Sequence, residues 1–452
     1  MKYLSDKLDL DLGSGYFSFY SVKNVSISLL LFLVILFSVA LSYFWIGPLP
    51  LWASLTAFGL IYLCSFKVTS SVLIDTVRKT LWFLVVPWIS FLLIILFRDL
   101  FSGTLDSSLT DRVGVNLFSL GAVIFVITAC RLLSIKIALL IFSAIFFIQG
   151  VLGIVQFSGS YRAWTLPDKI SSYSSKDVAL YDAMVRGKDA RSISQGFEGV
   201  GRIRGLHVYV HMYSGNQGVG GFFTLALGLL FLSRKQFGFS RILIAAFGVI
   251  SALSIILTFT RSVTLGLIVG TLIIFLYFLR KGRFASLILL GGFVVIFLLM
   301  LITMGFLDAA QFRRFTTLGL HNDSDYFRYE ALIAALIAFL KNPLFGTGSG
   351  GLDLGLPVHC VPVRMLGDFG LLGFAFYAWV WMGVSLLLIK GLRFRLGSVN
   401  LIALAGVGAL FVAIIDNLTH SSGLLQKGNG QAVIFAFAIG LIMHYPIFRK
   451  IR

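Results

Sequence analysis

Residues 135–157 read IKIALLIFSAIFFIQGVLGIVQF, with Lys136 as the single charge and that at the very start. As a helix rising 1.5 Å per residue, such a run is long enough to cross a hydrocarbon core of about 30 Å. It offers water no polar face, and in lipid a helix satisfies its own backbone groups. Runs of the same kind recur near 25–46, 48–64, 80–97, 115–130, 218–233, 241–259, 262–280, 284–306, 366–389, 399–415 and 431–447. The expected fold class is therefore an all-α polytopic membrane protein with about 12 transmembrane helices. Composition agrees: 58% of the 452 residues are hydrophobic and only 12% are charged, whereas soluble domains carry about a quarter charged residues. The first run begins after some two dozen mixed residues and is too long for the apolar core of a cleaved signal peptide, so it is expected to stay.

Cations orient the chain, because short loops rich in Lys and Arg remain in the cytoplasm. With the N-terminus inside, the cytoplasmic loops hold Lys67, Arg78 and Lys79; Arg131 and Lys136; Arg234, Lys235 and Arg241; Arg280, Lys281 and Arg283; and Lys390, Arg393 and Arg395. The tail adds Arg449, Lys450 and Arg452. Most acids fall on the other side, with Asp6, Asp9, Asp11 and Asp75 as exceptions. Both termini are expected inside. The formal charge of +18 is thus an orientation signal, and it argues against nucleic acid as a partner. Cys64 and Cys130 fall at cytoplasmic helix ends and Cys360 stands alone outside, which suits no structural disulfide.

Two long segments leave the membrane on the outer side and divide the chain into 1–157 (spans 1–5), 158–217 (first loop), 218–306 (spans 6–9), 307–365 (second loop) and 366–452 (spans 10–12). The first loop carries eight basic residues against five acids, a balance that suits an anionic ligand at a membrane face. In the second, Ser324 or Asp325 can cap an interfacial helix from about Tyr326 to Leu340. Asn342-Pro343 ends it, since proline cannot continue the hydrogen-bond ladder. The glycines from Gly346 to Gly355 then permit tight turns.

Chemistry should gather at these outer segments. Arg261, in Thr258-Phe-Thr-Arg-Ser262, sits between two runs so close that their connection is a tight turn at the outer face. A guanidinium there needs an anionic partner, and its fork fits a phosphate with two parallel bonds. Arg204 lies on the same side, before the chain re-enters the membrane. Of the outer histidines, His359 follows the glycine-rich stretch and immediately precedes a span. Its imidazole can take a proton from an attacking hydroxyl or, when charged, steady a departing phosphate. Arg328 and Arg364 are second-rank candidates for diphosphate contacts, and Asp353, Glu330 and Asp368 are candidate partners of His359. Asp323-Ser-Asp325 has a D-x-D form but reads as a helix cap. No cluster has metal-ligand spacing and no phosphate-cradling loop ends in Lys-Ser/Thr, so neither metal nor cofactor is expected.

The ordered set of Thr260-Arg261-Ser262, Arg328-Tyr-Glu330, Asn342-Pro-Leu-Phe-Gly-Thr-Gly348, and His359 spaced to Gly370-Leu-Leu-Gly373 resembles the O-antigen polymerase and O-antigen ligase superfamily of bacterial envelope proteins. The resemblance spans roughly residues 200–375. It implies a GT-C-like, metal-independent glycosyltransferase in the bacterial inner membrane. The substrate implied is an undecaprenyl-diphosphate-linked glycan, used at the periplasmic face. The motif histidine falls on His359 and the family's arginines on Arg204 and Arg261. Cys360 is a departure, because members carry Asn, Ser or Gln after that histidine. The resemblance further implies an acceptor that is either a second lipid-linked repeat unit (polymerase, the first reading) or a lipid A core (ligase). A chain-length regulator is an implied partner. A transporter or flippase of lipid-linked oligosaccharide is the alternative of another class, but transporters place ionisable residues near the midplane, whereas these collect at one face.

Overall fold

The computed structural model describes residues 21–41, 45–46, 49–101, 113–158, 210–232, 238–258, 260–280, 323–348, 358, 360–393, 397–419 and 430–444, besides Leu166 and Leu206. Helix α1 (Ser21–Val39) reaches α2 (Leu51–Cys64) through a two-residue antiparallel ladder, β1 (Trp45–Ile46) on β2 (Leu49–Pro50). Helix α3 (Lys67–Thr80) continues through a π-helical turn, Leu81–Val85, into α4 (Val86–Phe101). Pro87 accounts for that turn. It has no N–H, and its ring crowds the carbonyl four residues back, so one wider turn relieves the clash. That carbonyl, on Phe83, lies against Gly383 of a later helix, where any side chain would collide with it.

There follow α5 (Val115–Leu132), α6 (Ile135–Phe157), α7 (Val210–Leu232), α8 (Ser240–Ile256), α9 (Arg261–Arg280), α10 (Asp323–Lys341), α11 (Val361–Arg393), α12 (Gly397–Thr419) and α13 (Gly430–Met443). Among the described residues, seven stretches are long and apolar enough to cross a membrane: Lys67–Phe101, α5, α6, Tyr213–Leu232, Ser262–Arg280, α11 and α12. Val25–Val39, α2, α8 and α13 are shorter apolar helices. The expected run at 284–306 lies outside the described residues. Where a span was expected from 80, the helix instead starts at Lys67; where one was expected from 218, it starts at Val210. A helix stands where the interfacial one was expected, as α10, and its last turn closes where Asn342 N–H reaches the Ala338 and Phe339 carbonyls.

Helices in lipid gain little from hiding apolar surface and associate through close packing instead. The glycines show how. Gly228 meets the backbone of Ala245, and Gly248 that of Leu225, so α7 and α8 touch main chain to main chain. Gly266 of α9 faces Val412 of α12, and Gly270 faces the Gly408 carbonyl and the ring of Phe222. The pair spaced as small-xxx-small is therefore a packing device. At the opposite end of the bundle from Arg261, the Arg131 guanidinium bridges from α5 to Asp75 and the Thr76 hydroxyl of α3.

The loop after α10 is bound into α11. Inside α11, Gly370 departs from helical geometry (φ 63°, ψ −162°), which leaves nearby backbone groups without their usual partners. Residues 343–348 supply them. Leu371 and Leu372 N–H donate to the Pro343 and Leu344 carbonyls (2.8 and 3.3 Å), while Thr347 and Gly348 N–H donate to the Gly367 and Asp368 carbonyls (3.0 and 2.8 Å). The Thr347 hydroxyl also donates to the Gly367 carbonyl, at 3.2 Å. The two backbones come so close that a Cβ on Gly346 would strike Asp368 and one on Gly370 would strike Leu344. Gly370→Ala should therefore lower stability in detergent by about 1–3 kcal/mol from its left-handed φ alone, and by more through the collision. Gly238→Ala, at φ 49° with open space around it, should cost less; equal melting temperatures for the two variants would contradict this account.

Candidate active site

Arg261 is the first residue of α9, at the end of the four-residue connection from α8 that the sequence leads one to expect. Thr258 shapes the turn: its hydroxyl donates to the Ile255 carbonyl (2.6 Å) and accepts from Thr260 N–H (3.3 Å). Thr258, Thr260 and Ser262 are buried, so Arg261 emerges from a polar turn enclosed by the bundle. The α9 N-terminus adds a partial positive charge in the same place.

The register of α9 on α12 locates its neighbours. Gly270 faces Gly408 and Gly266 faces Val412, so one turn further Ser262 is level with Asp416. Asp416 is fully buried and accepts from Gln431 Nε2 at 3.1 Å. Gln431 Oε1 in turn accepts from Asn417 Nδ2 (2.9 Å), and Asn417 Oδ1 accepts from the Tyr377 hydroxyl of α11 (3.4 Å). This chain of side chains ties α11, which carries the Gly370 break, to α12 and α13 beside the start of α9. On the other flank, Asn216 Nδ2 donates to the Val39 carbonyl (3.1 Å) and fits against Gly430, where a Cβ would displace it. Gln217 Nε2 donates to the Phe146 carbonyl (2.9 Å) and the Ser254 hydroxyl (3.2 Å).

The sequence-derived candidates fall unevenly on this frame. His359, Arg204 and Asp353 lie outside the described residues, as do the side chains of Arg261 and Arg328. Val358 and Val361, on either side of His359, are both buried, Val358 against Ala331 and Ala335 of α10. Glu330 is exposed on α10. Arg364 and Asp368 meet each other: Arg364 Nε donates to Asp368 Oδ2 at 3.2 Å, while the Asp368 carbonyl holds Gly348. Among the described residues no group of three or more His, Cys, Asp or Glu could hold a metal ion, and Cys64, Cys130 and Cys360 are free thiols.

Sequence reasoning overlooked Asp416, Asn417 and Gln431, together with Gln149, Asn216 and Gln217. Their signal was present in the chain, since carboxylates and carboxamides inside apolar runs are costly and rarely idle. They are hard to single out because each lies within or at the edge of an apolar run, away from the loop arginines and histidines.

Comparison with known proteins adds one finding. No curated protein matches the chain. Residues 246–378 match the family model described as O-antigen ligase, a segment that runs from α8 through Arg261 and His359 to the first turns after Gly370. This part of the chain is accordingly similar to the O-antigen ligase family, which supports the superfamily that its motifs resemble.

Proposed function

We propose that this protein is a glycosyltransferase that polymerises undecaprenyl-diphosphate-linked repeat units of a surface polysaccharide. The observation that carries the reading is that the family match over residues 246–378 covers both halves of the motif whose backbones interlock at Gly346 and Gly370. Arg261 and Arg204 neutralise the diphosphate as the sugar C1–oxygen bond breaks, and His359 orients or deprotonates the acceptor hydroxyl. Arg328 and Arg364 are secondary contacts for the diphosphate; Glu330, Asp353 and Asp368 remain the candidate partners of His359. The chain needs no metal in this scheme, because the guanidinium charges take that role.

In the same reading the chain has twelve spans in a GT-C-like arrangement within a bacterial inner membrane. Both termini are cytoplasmic, and loops 158–217 and 307–365 are periplasmic. A chain-length regulator is a candidate partner. Ligation of the glycan to lipid A core is the second reading, and the match to the O-antigen ligase family supports either acceptor. Transport of the lipid-linked glycan finds no support in that match.

Removing a preorganised charge from a low-dielectric site costs about a hundred- to a thousand-fold in turnover. Arg261→Ala, Arg204→Ala and His359→Ala, each inserted normally in the membrane, should therefore abolish the surface polysaccharide ladder. Arg261→Lys should not restore it, since an ammonium cannot make the paired contact. Normal ladders in all of these variants would end the assignment. A deletion strain separates the two acceptors: single-repeat product indicates a polymerase, and accumulated long lipid-linked polymer indicates a ligase.

A further inference from the structure

At the level of Ser262 the bundle holds a layer of buried carboxamides. Asn216, Gln217, Asn417 and Gln431 belong to it, and Gln149 of α6 completes it. The contacts of α6 with α7 place Gln149 there: Gln217 Nε2 reaches the Phe146 carbonyl at 2.9 Å, and Gln149 lies one turn further along α6. The Gln149 main chain is held in the same layer, because its carbonyl accepts from the Tyr213 hydroxyl at 3.3 Å.

Four members of the layer are hydrogen-bonded to the protein. Gln149 is different. Its side chain is fully buried, yet neither its Nε2 nor its Oε1 has a partner. Gln217 Oε1 and the Thr260 hydroxyl, beside Arg261, are likewise unpartnered. A buried carboxamide with both ends unused destabilises the fold unless something else meets it. The vacant groups are neutral and offer both donors and acceptors. Those are the properties that match sugar hydroxyls, each of which donates and accepts, and they differ from those that match a phosphate.

We propose that Gln149, with Gln217 Oε1 and Thr260, forms a sugar-binding subsite that recognises hydroxyls of the donor glycan next to the diphosphate. The inference rests on the glycosyltransferase reading and goes beyond it, since it assigns recognition of the sugar to Gln149 of α6 and Gln217 of α7, outside the matched segment, together with Thr260 within it.

Binding to the purified full-length protein in detergent tests it, with two probes: undecaprenyl diphosphate lacking sugar, and the same lipid carrying one oligosaccharide unit. Gln149→Leu and the more flexible Gln149→Met break no side-chain hydrogen bond and should melt at or above the wild-type temperature. Each should bind the sugar-free lipid as wild type does and the sugar-bearing lipid about tenfold more weakly, a loss equal to one good hydrogen bond. Unchanged binding of both lipids would mean that the layer holds only water and would overturn the subsite. Equal weakening of both lipids would also overturn it, as a general distortion. If wild-type protein binds the sugar-free lipid with no added affinity for the sugar-bearing one, the subsite alone falls. Binding of neither lipid by wild type would instead bring down the glycosyltransferase reading and this inference with it.

Discussion

A membrane helix cannot leave its backbone groups unpaired, and α11 breaks its own ladder at Gly370. Much else in the structure follows from how that break is repaired. Residues 343–348 donate to and accept from the backbone on both sides of Gly370, so the loop replaces the missing helical partners. The exchange demands two backbones in near contact, which is why Gly346 and Gly370 both lack a side chain and both hold a positive φ. A spacing that looks like separate motifs in the chain is one backbone-to-backbone joint in space. Because the joint is made of main-chain hydrogen bonds in a region with little competing water, it is stiff. It fixes α10 against α11, and it brackets the stretch that contains His359 between buried Val358 and Val361.

The remaining polar groups of the bundle obey the same constraint. Tyr377, seven positions beyond Gly370 on α11, begins a hydrogen-bonded chain through Asn417 and Gln431 to Asp416. In a low-dielectric interior such a chain is worthwhile only when its members satisfy each other. Asp416 lies level with the start of α9, so a carboxylate and a guanidinium-bearing turn share one layer of the protein. The glycine contacts of α9 on α12 set that layer, since they determine which residues of two antiparallel helices stand side by side. Packing thereby decides the electrostatics, although no charge takes part in the packing.

Part of this was readable in the chain. The end of α10 at Asn342-Pro343, the tight α8–α9 turn before Arg261 and the packing role of Gly266 and Gly270 follow from the local chemistry of proline, of short polar connections and of small residues. The carboxamide layer was not readable, because Gln149, Asn216, Asn417 and Gln431 each occur in a different apolar context and share no spacing. Helix starts were also shifted: α7 begins at Val210 and α3 at Lys67, since polar residues buried by neighbours prolong a helix past the edge of its apolar run. Hydropathy cannot see those neighbours.

The sequence by itself determined a multi-helix membrane protein and the family likeness of its central segment. It could do so because lipid solvation and short glycine–proline signals act locally along the chain. Only the tertiary structure decided that the 342–348 loop mends α11, that Asp416 stands level with Ser262, and that Gln149 is buried with nothing to bind. Those facts are set by interhelical register, and register depends on the mutual fit of side chains far apart in the chain.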